Sequence, residues 1–256
     1  MPNFSPRACR GGPTVEAVAT AVPPHIIRQS DAEAVARHLF DRDRSDIERL
    51  LPVFANAGIE KRHSCMPLDW FSEAHGWKER NDLYERHALQ LIEQAATACL
   101  DRAQRRAGDV DAIVCVSTTG IATPSLEARL LERMPFRRDV RRLPIFGLGC
   151  GGGVTGLARA ADLQRTSPES LVLLLVVELC ALTFRSADFS RSNIVATALF
   201  GDGAAAVLLG PAKDGPCLTA AGEHTWPDSL PVMGWNIEDD GFGVLFSRDI
   251  PALVRR

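Results

Sequence analysis

Four short apolar runs, spaced by stretches of helical periodicity, constrain the fold of this chain most. They cover residues 111–117 (DAIVCVS), 144–150 (PIFGLGC), 171–178 (LVLLLVVE) and 203–210 (GAAAVLLG). Runs this short and rich in valine, isoleucine and leucine suit strands buried on both faces. The stretches between them, 124–134, 154–165 and 192–199, read as helices, with Pro124 acceptable in a first turn. Strands alternating with helices imply an α/β layered fold with both faces of the sheet covered.

Upstream, residues 15–20 read as a strand, and 31–40 and 45–57 as helices. Ser30 and Ser45 are placed to cap them and Gly58 to stop the second. The segment 68–81 is irregular and aromatic. A long helix is expected from Asn81 or Asp82 to about Arg106, with Leu89, Ile92, Ala96, Cys99 and Ala103 at helical spacing. Ala220, Gly241 and Leu245 mark later β segments, and Asp214-Gly215-Pro216 is the best linker candidate. The division expected is a loose segment 1–13, a main domain 14–212, and a further segment 213–256.

Composition narrows the function classes. Of 256 residues, 46% are hydrophobic and 24% charged, the balance of a globular chain with a core. The net charge of −3 gives no basic footprint for nucleic acid, and Arg137-Arg138 and Arg141-Arg142 sit among acids. The apolar run 171–177 is far short of the ~20 residues of a membrane span, and no apolar signal region opens the chain. Seven cysteines without a C-x-x-C pair argue against a zinc knuckle and a disulfide framework. Reduced thiols in a cytoplasmic protein are the expectation.

Cys150 carries the most chemistry. It closes a strand and is followed by Gly151-Gly152-Gly153 and then a helix. A helix N-terminus offers unpaired N–H groups and the positive end of the macrodipole, which favour thiolate over thiol. Taken alone, the same pattern fits a packed inert cysteine. A phosphate-cradling turn fits less well, because neither G-K-[ST] nor G-x-G-x-x-G is present.

Its surroundings separate these readings. Ser117-Thr118-Thr119-Gly120 leads to Pro124, Glu178 precedes Cys180 and Thr183-Phe184-Arg185, and Ala198 to Ala206 reads A-L-F-G-D-G-A-A-A. With G-C-x-G-G at Cys150, these resemble the nucleophile-bearing part of type III polyketide synthases, the chalcone and stilbene synthase group. The resemblance implies a thiolase-like α-β-α-β-α fold, its first half complete and its second half truncated. It implies Cys150 as the acyl-accepting nucleophile and Phe200 as the aromatic gate between the coenzyme A tunnel and the elongation cavity. Thr118, Thr123, Cys180 and Thr183 match cavity-lining positions, Gly234 lies near a cavity-shaping glycine, and Arg49 matches a contact to coenzyme A phosphates. Threonine at 123 and cysteine at 180 depart from the plant enzymes and put a chalcone product in question.

The implied reaction loads an acyl-CoA starter on Cys150 and extends it by decarboxylative condensation with malonyl-CoA. No cofactor is implied, and a homodimer is. The family's other catalytic groups are a histidine in His-Pro-Gly-Gly and an asparagine in Gly-Asn-x-Ser. The sequence stops before either, so impaired activity alone is expected, with an apolar face needing cover. The alternatives are a non-catalytic remnant or binding module, a 3-oxoacyl-ACP synthase III-like enzyme and, more distantly, a Cys–His hydrolase.

Overall fold

The computed structural model describes residues 12–40, 44–212, 214–247 and 249–255. In chain order they form β1 (Thr14–Ala21), β2 (His25–Arg28), α1 (Gln29–Leu39), α2 (Arg44–Leu50), α3 (Pro52–Asn56), β3 (Lys61–Ser64) and α4 (Trp77–Ala103). Next come β4 (Ala112–Val116), α5 (Leu126–Leu130), β5 (Arg141–Ile145), α6 (Gly152–Thr166), β6 (Val172–Leu179), α7 (Arg191–Leu199) and β7 (Asp202–Gly210). A hairpin of β8 (Met233–Glu238) and β9 (Gly241–Phe246) and the short α8 (Ile250–Val254) follow.

The main sheet has the order β1-β7-β6-β4-β5. β4 runs parallel to both β5 and β6, while β7 is antiparallel to β6 and β1. Successive side chains on a strand point to opposite faces, and β6 shows the result. Leu173, Leu175 and Val177 enter the cluster formed with Ala88, Ile92, Ala96 and Cys99 of α4. Val172 and Leu174 enter the opposite cluster with Ala160 and Ala161 of α6. Both sets are apolar because a helix covers each face, which is why the run lacks alternation. A satellite core joins α1, α2, α3 and α7 through Phe40, Ile47, Phe54 and Ile194. No helix among the described residues is long and apolar enough to cross a membrane.

Several expected boundaries move. The helix expected over 45–57 is divided into α2 and α3, with Pro52 in the first turn of α3, the position a residue without an N–H tolerates. Ser30 lies inside α1, whose N-cap is Arg28, and its hydroxyl meets Asp31. The side chain of Ser45 is outside what is described. Gly58 does end this region, in the left-handed conformation at φ +64°. α4 begins at Trp77, a turn before Asn81, because its first turn is anchored. Trp77 packs edge-on against Phe242, and Arg80 donates to the His75 carbonyl. It stops at Ala103, where Gln104 turns left-handed. Pro124 precedes α5, which is only one turn long and begins after Ser125. β2 is only four residues long, β3 (Lys-Arg-His-Ser) lacks the apolar character that would announce it, and Ala220 lies in no strand. Cys217 is disulfide-bonded, so the expectation of reduced thiols holds for Cys65, Cys99, Cys115, Cys150 and Cys180 but not for it.

Candidate active site

β5 ends at Ile145, five residues before Cys150, and not at the cysteine as expected. The reason is backbone geometry. Gly147 and Gly149 take φ of +92° and +53°, which glycine adopts without steric cost and which leave the strand. Cys150 then sits in a single 3-10 turn, Gly149–Gly151, directly ahead of α6. The helix begins inside the glycines, two residues earlier than expected, because Gly152 and Gly156 lie against β4. A Cβ on either would stand 2.7 or 2.6 Å from a Val116 methyl. Gly153 faces open space. The glycine run thus seats the N-terminus of α6 on the central sheet with Cys150 at its positive end.

Among the described residues Cys150 is the one exposed thiol. Cys65, Cys99 and Cys115 are buried, and burial pushes all three thiols up, Cys99 to about 11. Cys180 opens the 3-10 turn Cys180–Thr183 that follows β6. Burial raises its thiol, and the charges of Glu178, Asp202 and Cys150 add to the shift, so the two cysteines lie within electrostatic reach. Cys150 is therefore suited to nucleophilic chemistry and Cys180 to forming a wall.

Phe200, Cys180 and Thr183 come together in one largely apolar cavity, whose walls include Ile27, Phe71, Phe184 and Val244. Thr183 is buried and donates to the Cys180 carbonyl at 2.8 Å. Thr118 is buried just past β4 and does not line this cavity; its N–H donates to Glu178 Oε2 at 3.0 Å. Thr119 donates to the same oxygen at 2.8 Å and accepts from the Leu179 N–H. Burial raises the Glu178 carboxyl, against these bonds. Thr123 is exposed on the loop before Pro124, and Arg49 is exposed on the last turn of α2; neither lines the cavity. Gly234 on β8 pairs with Leu245, and a Cβ added to it would meet nothing within 4 Å.

The contact at this point is made by the neighbour of Gly234. Trp235 meets Phe200 edge to face, with centroids 6.1 Å apart, and Phe242 at 5.9 Å. A tryptophan two residues into a polar-flanked strand gives no local sign of this contact. Asp202 and Arg62, missed as site residues from the sequence, hold the cavity walls. Asp202 does carry a signal, a charge at the head of an apolar strand, and Arg62 carries none.

Comparison with known proteins agrees with this arrangement. Residues 3–213 match the family model of chalcone and stilbene synthases, N-terminal domain. A putative chalcone synthase of Bacillus subtilis is 40% identical over 253 residues, covering 93% of this chain and 69% of the relative. A 1,3,6,8-tetrahydroxynaphthalene synthase of Streptomyces peucetius is also 40% identical, over 250 residues, covering 95% and 66%. The chain thus spans about two thirds of the length of these relatives. The crystal structure of 1,3,6,8-tetrahydroxynaphthalene synthase from Streptomyces coelicolor, a bacterial type III polyketide synthase, superposes with a TM-score of 0.90 at 30% identity. It covers 94% of this chain and 69% of that one. The mixed five-stranded sheet with a helix on each face is accordingly the thiolase-like α/β arrangement of these enzymes, and the chain belongs to the chalcone and stilbene synthase family of type III polyketide synthases.

Proposed function

We propose that this chain carries the acyl group of a type III polyketide synthase on Cys150. The observation that supports this most is the exposed Cys150 thiol at the head of α6, within electrostatic reach of Cys180, which lines the cavity with Thr183 and Phe200. In the loading step the Cys150 sulfur attacks the thioester carbonyl of an acyl-CoA, and the coenzyme A thiolate leaves with the electron pair. The acyl tail then lies toward the apolar walls. Condensation with the enolate formed by loss of CO2 from malonyl-CoA extends it.

That second step calls for donors to the enolate and to the tetrahedral oxyanion. Neither His-Pro-Gly-Gly nor Gly-Asn-x-Ser occurs in these 256 residues. Two of the described histidines are bonded elsewhere: His63 bonds the Pro23 carbonyl, and His75 bonds Glu79 and the Trp70 carbonyl. The proposal for this chain is therefore strongest for loading. It carries with it a cytoplasmic homodimer using acyl-CoA and malonyl-CoA without a cofactor, in which Phe200 gates the cavity, Thr183 and Cys180 line it, and Arg49 meets coenzyme A.

Intact-mass measurement after exposure to acetyl-CoA tests the reading. One acyl mass, mapped to the peptide holding Cys150, is expected; an unmodified chain sinks it. Trp235 supplies a second measurement. Truncating it removes the ring that bounds Phe200, so Trp235→Ala is expected to raise loading of a bulky aromatic acyl-CoA relative to acetyl-CoA by about tenfold. Equal ratios in variant and wild type would show that the ring does not bound the acyl tail.

A further inference from the structure

Two charged side chains, Arg62 in the cavity wall and Asp202 behind it, have no part in the loading step. Asp202, at the head of β7, is 7% exposed. Its Oδ1 accepts the Ala181 N–H at 2.7 Å and its Oδ2 accepts the Cys65 N–H at 2.9 Å. Arg62, on β3, directs Nη1 to the Phe200 carbonyl at 2.8 Å and also to the Thr197 carbonyl. The two side chains attract each other electrostatically. Gly201 lies against Arg62, where an added Cβ would stand 3.2 Å from the arginine Cβ. A side chain at 201 would therefore press the two strands apart.

The backbone points held in this way are those that shape the cavity. Ala181 belongs to the turn that presents Cys180 and Thr183. Thr197 and Phe200 end α7 and set where the Phe200 ring projects. Cys65 ties β3 to both. Hydrogen bonds to ionised groups are stronger than neutral ones, and buried ones are screened little by salt.

We infer that Asp202 and Arg62 are positioning residues that clamp Phe200 at a fixed separation from the Cys180–Thr183 turn and so set which acyl tails the cavity favours. The inference rests on Cys150 being the acyl carrier. It is supported by the titration of Asp202, which burial raises to about 6 against the pull of the Ala181 and Cys65 N–H groups and of Arg62. The other titratable groups facing it are the thiols of Cys65 and Cys180, both of whose titrations it shifts, with Glu178 beyond Cys180. Above about pH 6 the carboxylate accepts both N–H groups. Below it the bound proton weakens the clamp.

The experiment measures initial rates of Cys150 loading by intact mass with hexanoyl-CoA and acetyl-CoA from pH 5 to 8. Both react through the same sulfur, so the ratio of the two rates cancels the titration of Cys150 itself. In the wild type the hexanoyl preference is expected to grow as pH rises through about 6. In Asp202→Asn it is expected to fall about tenfold at pH 7.5 and to lose its pH dependence. A role confined to folding would slow both substrates alike and leave the ratio unchanged. Should Asp202→Asn fail to fold, Arg62→Lys keeps the charge beside Asp202, shortens the reach to the Thr197 and Phe200 carbonyls, and is expected to lower the ratio in the same direction. A wild type that loads neither acyl group overturns the carrier reading and this inference together. A wild type that loads both, with the ratio unchanged in the folded variant, overturns this inference alone.

Discussion

Cys150→Ala is expected to gain no acyl mass from any acyl-CoA that modifies the wild type, a loss limited only by detection. The other described thiols do not offer a substitute. Cys65, Cys99 and Cys115 are buried, with their thiols pushed up, and so hold little thiolate. Cys180 is the stringent control because it lies within electrostatic reach of Cys150, yet burial and neighbouring carboxylates raise its thiol as well. Cys180→Ala is therefore expected to keep the adduct. An adduct of equal size on Cys150→Ala, or one lost only with Cys180, would move the nucleophile from the head of α6 to the end of β6.

The second large effect concerns stability. Gly156→Val is expected to lower the unfolding free energy by about 3 kcal/mol, the scale of an overpacked core, and Tm by about 6–12 °C for a domain of this size. Its new Cβ would stand 2.6 Å from a Val116 methyl and 3.0 Å from a Leu174 methyl. Both neighbours lie in buried strands that cannot shift cheaply. Gly153→Ala, three residues earlier in the same helix, meets nothing within 4 Å. It is expected to gain about 0.5–1 kcal/mol, because alanine loses less backbone entropy in a helix. Thermal unfolding of the pair checks this. If both variants melt below the wild type by the same amount, the contact of α6 with β4 does not explain the glycines.

What could be read beforehand follows from how local each signal is. The runs ending near Val116, Glu178 and Gly210 declare themselves because two helices cover the sheet and every position along β4 and most of β6 must be apolar. Cys150 was legible from its glycines and from the motifs around it. The strand before it was misplaced because Pro144 to Leu148 looks equally apolar whether it continues the ladder or leaves it, and two left-handed glycines decide the matter. β2 and β3 pair only with each other as a short two-stranded ribbon, and Lys61 to Ser64 carries no apolar period to announce it. The cavity was half legible. Phe200, Cys180 and Thr183 follow from motif positions, but Arg62 reaches it, and Trp235 reaches Phe200, from distant parts of the chain, and a one-residue offset separates Gly234 from the ring that meets Phe200. Thr118 and Thr123 show the reverse, since matching a cavity-lining motif position did not bring them to this cavity.

The strand order carries a consequence in time as well as in space. β6 lies mid-sheet between β7 and β4 under two helices, so its amides are expected to exchange with deuterium only through global unfolding. β5 is at the edge, paired to β4 alone among the described strands, with Arg141, Arg142 and Pro144 exposed. Its amides are expected to exchange orders of magnitude sooner, through local opening. Cys150 joins these two regimes, following an edge strand of the main sheet while the helix behind it is seated on the central strands. Brief excursions of its loop can therefore admit and release a bulky thioester without any of the core having to open.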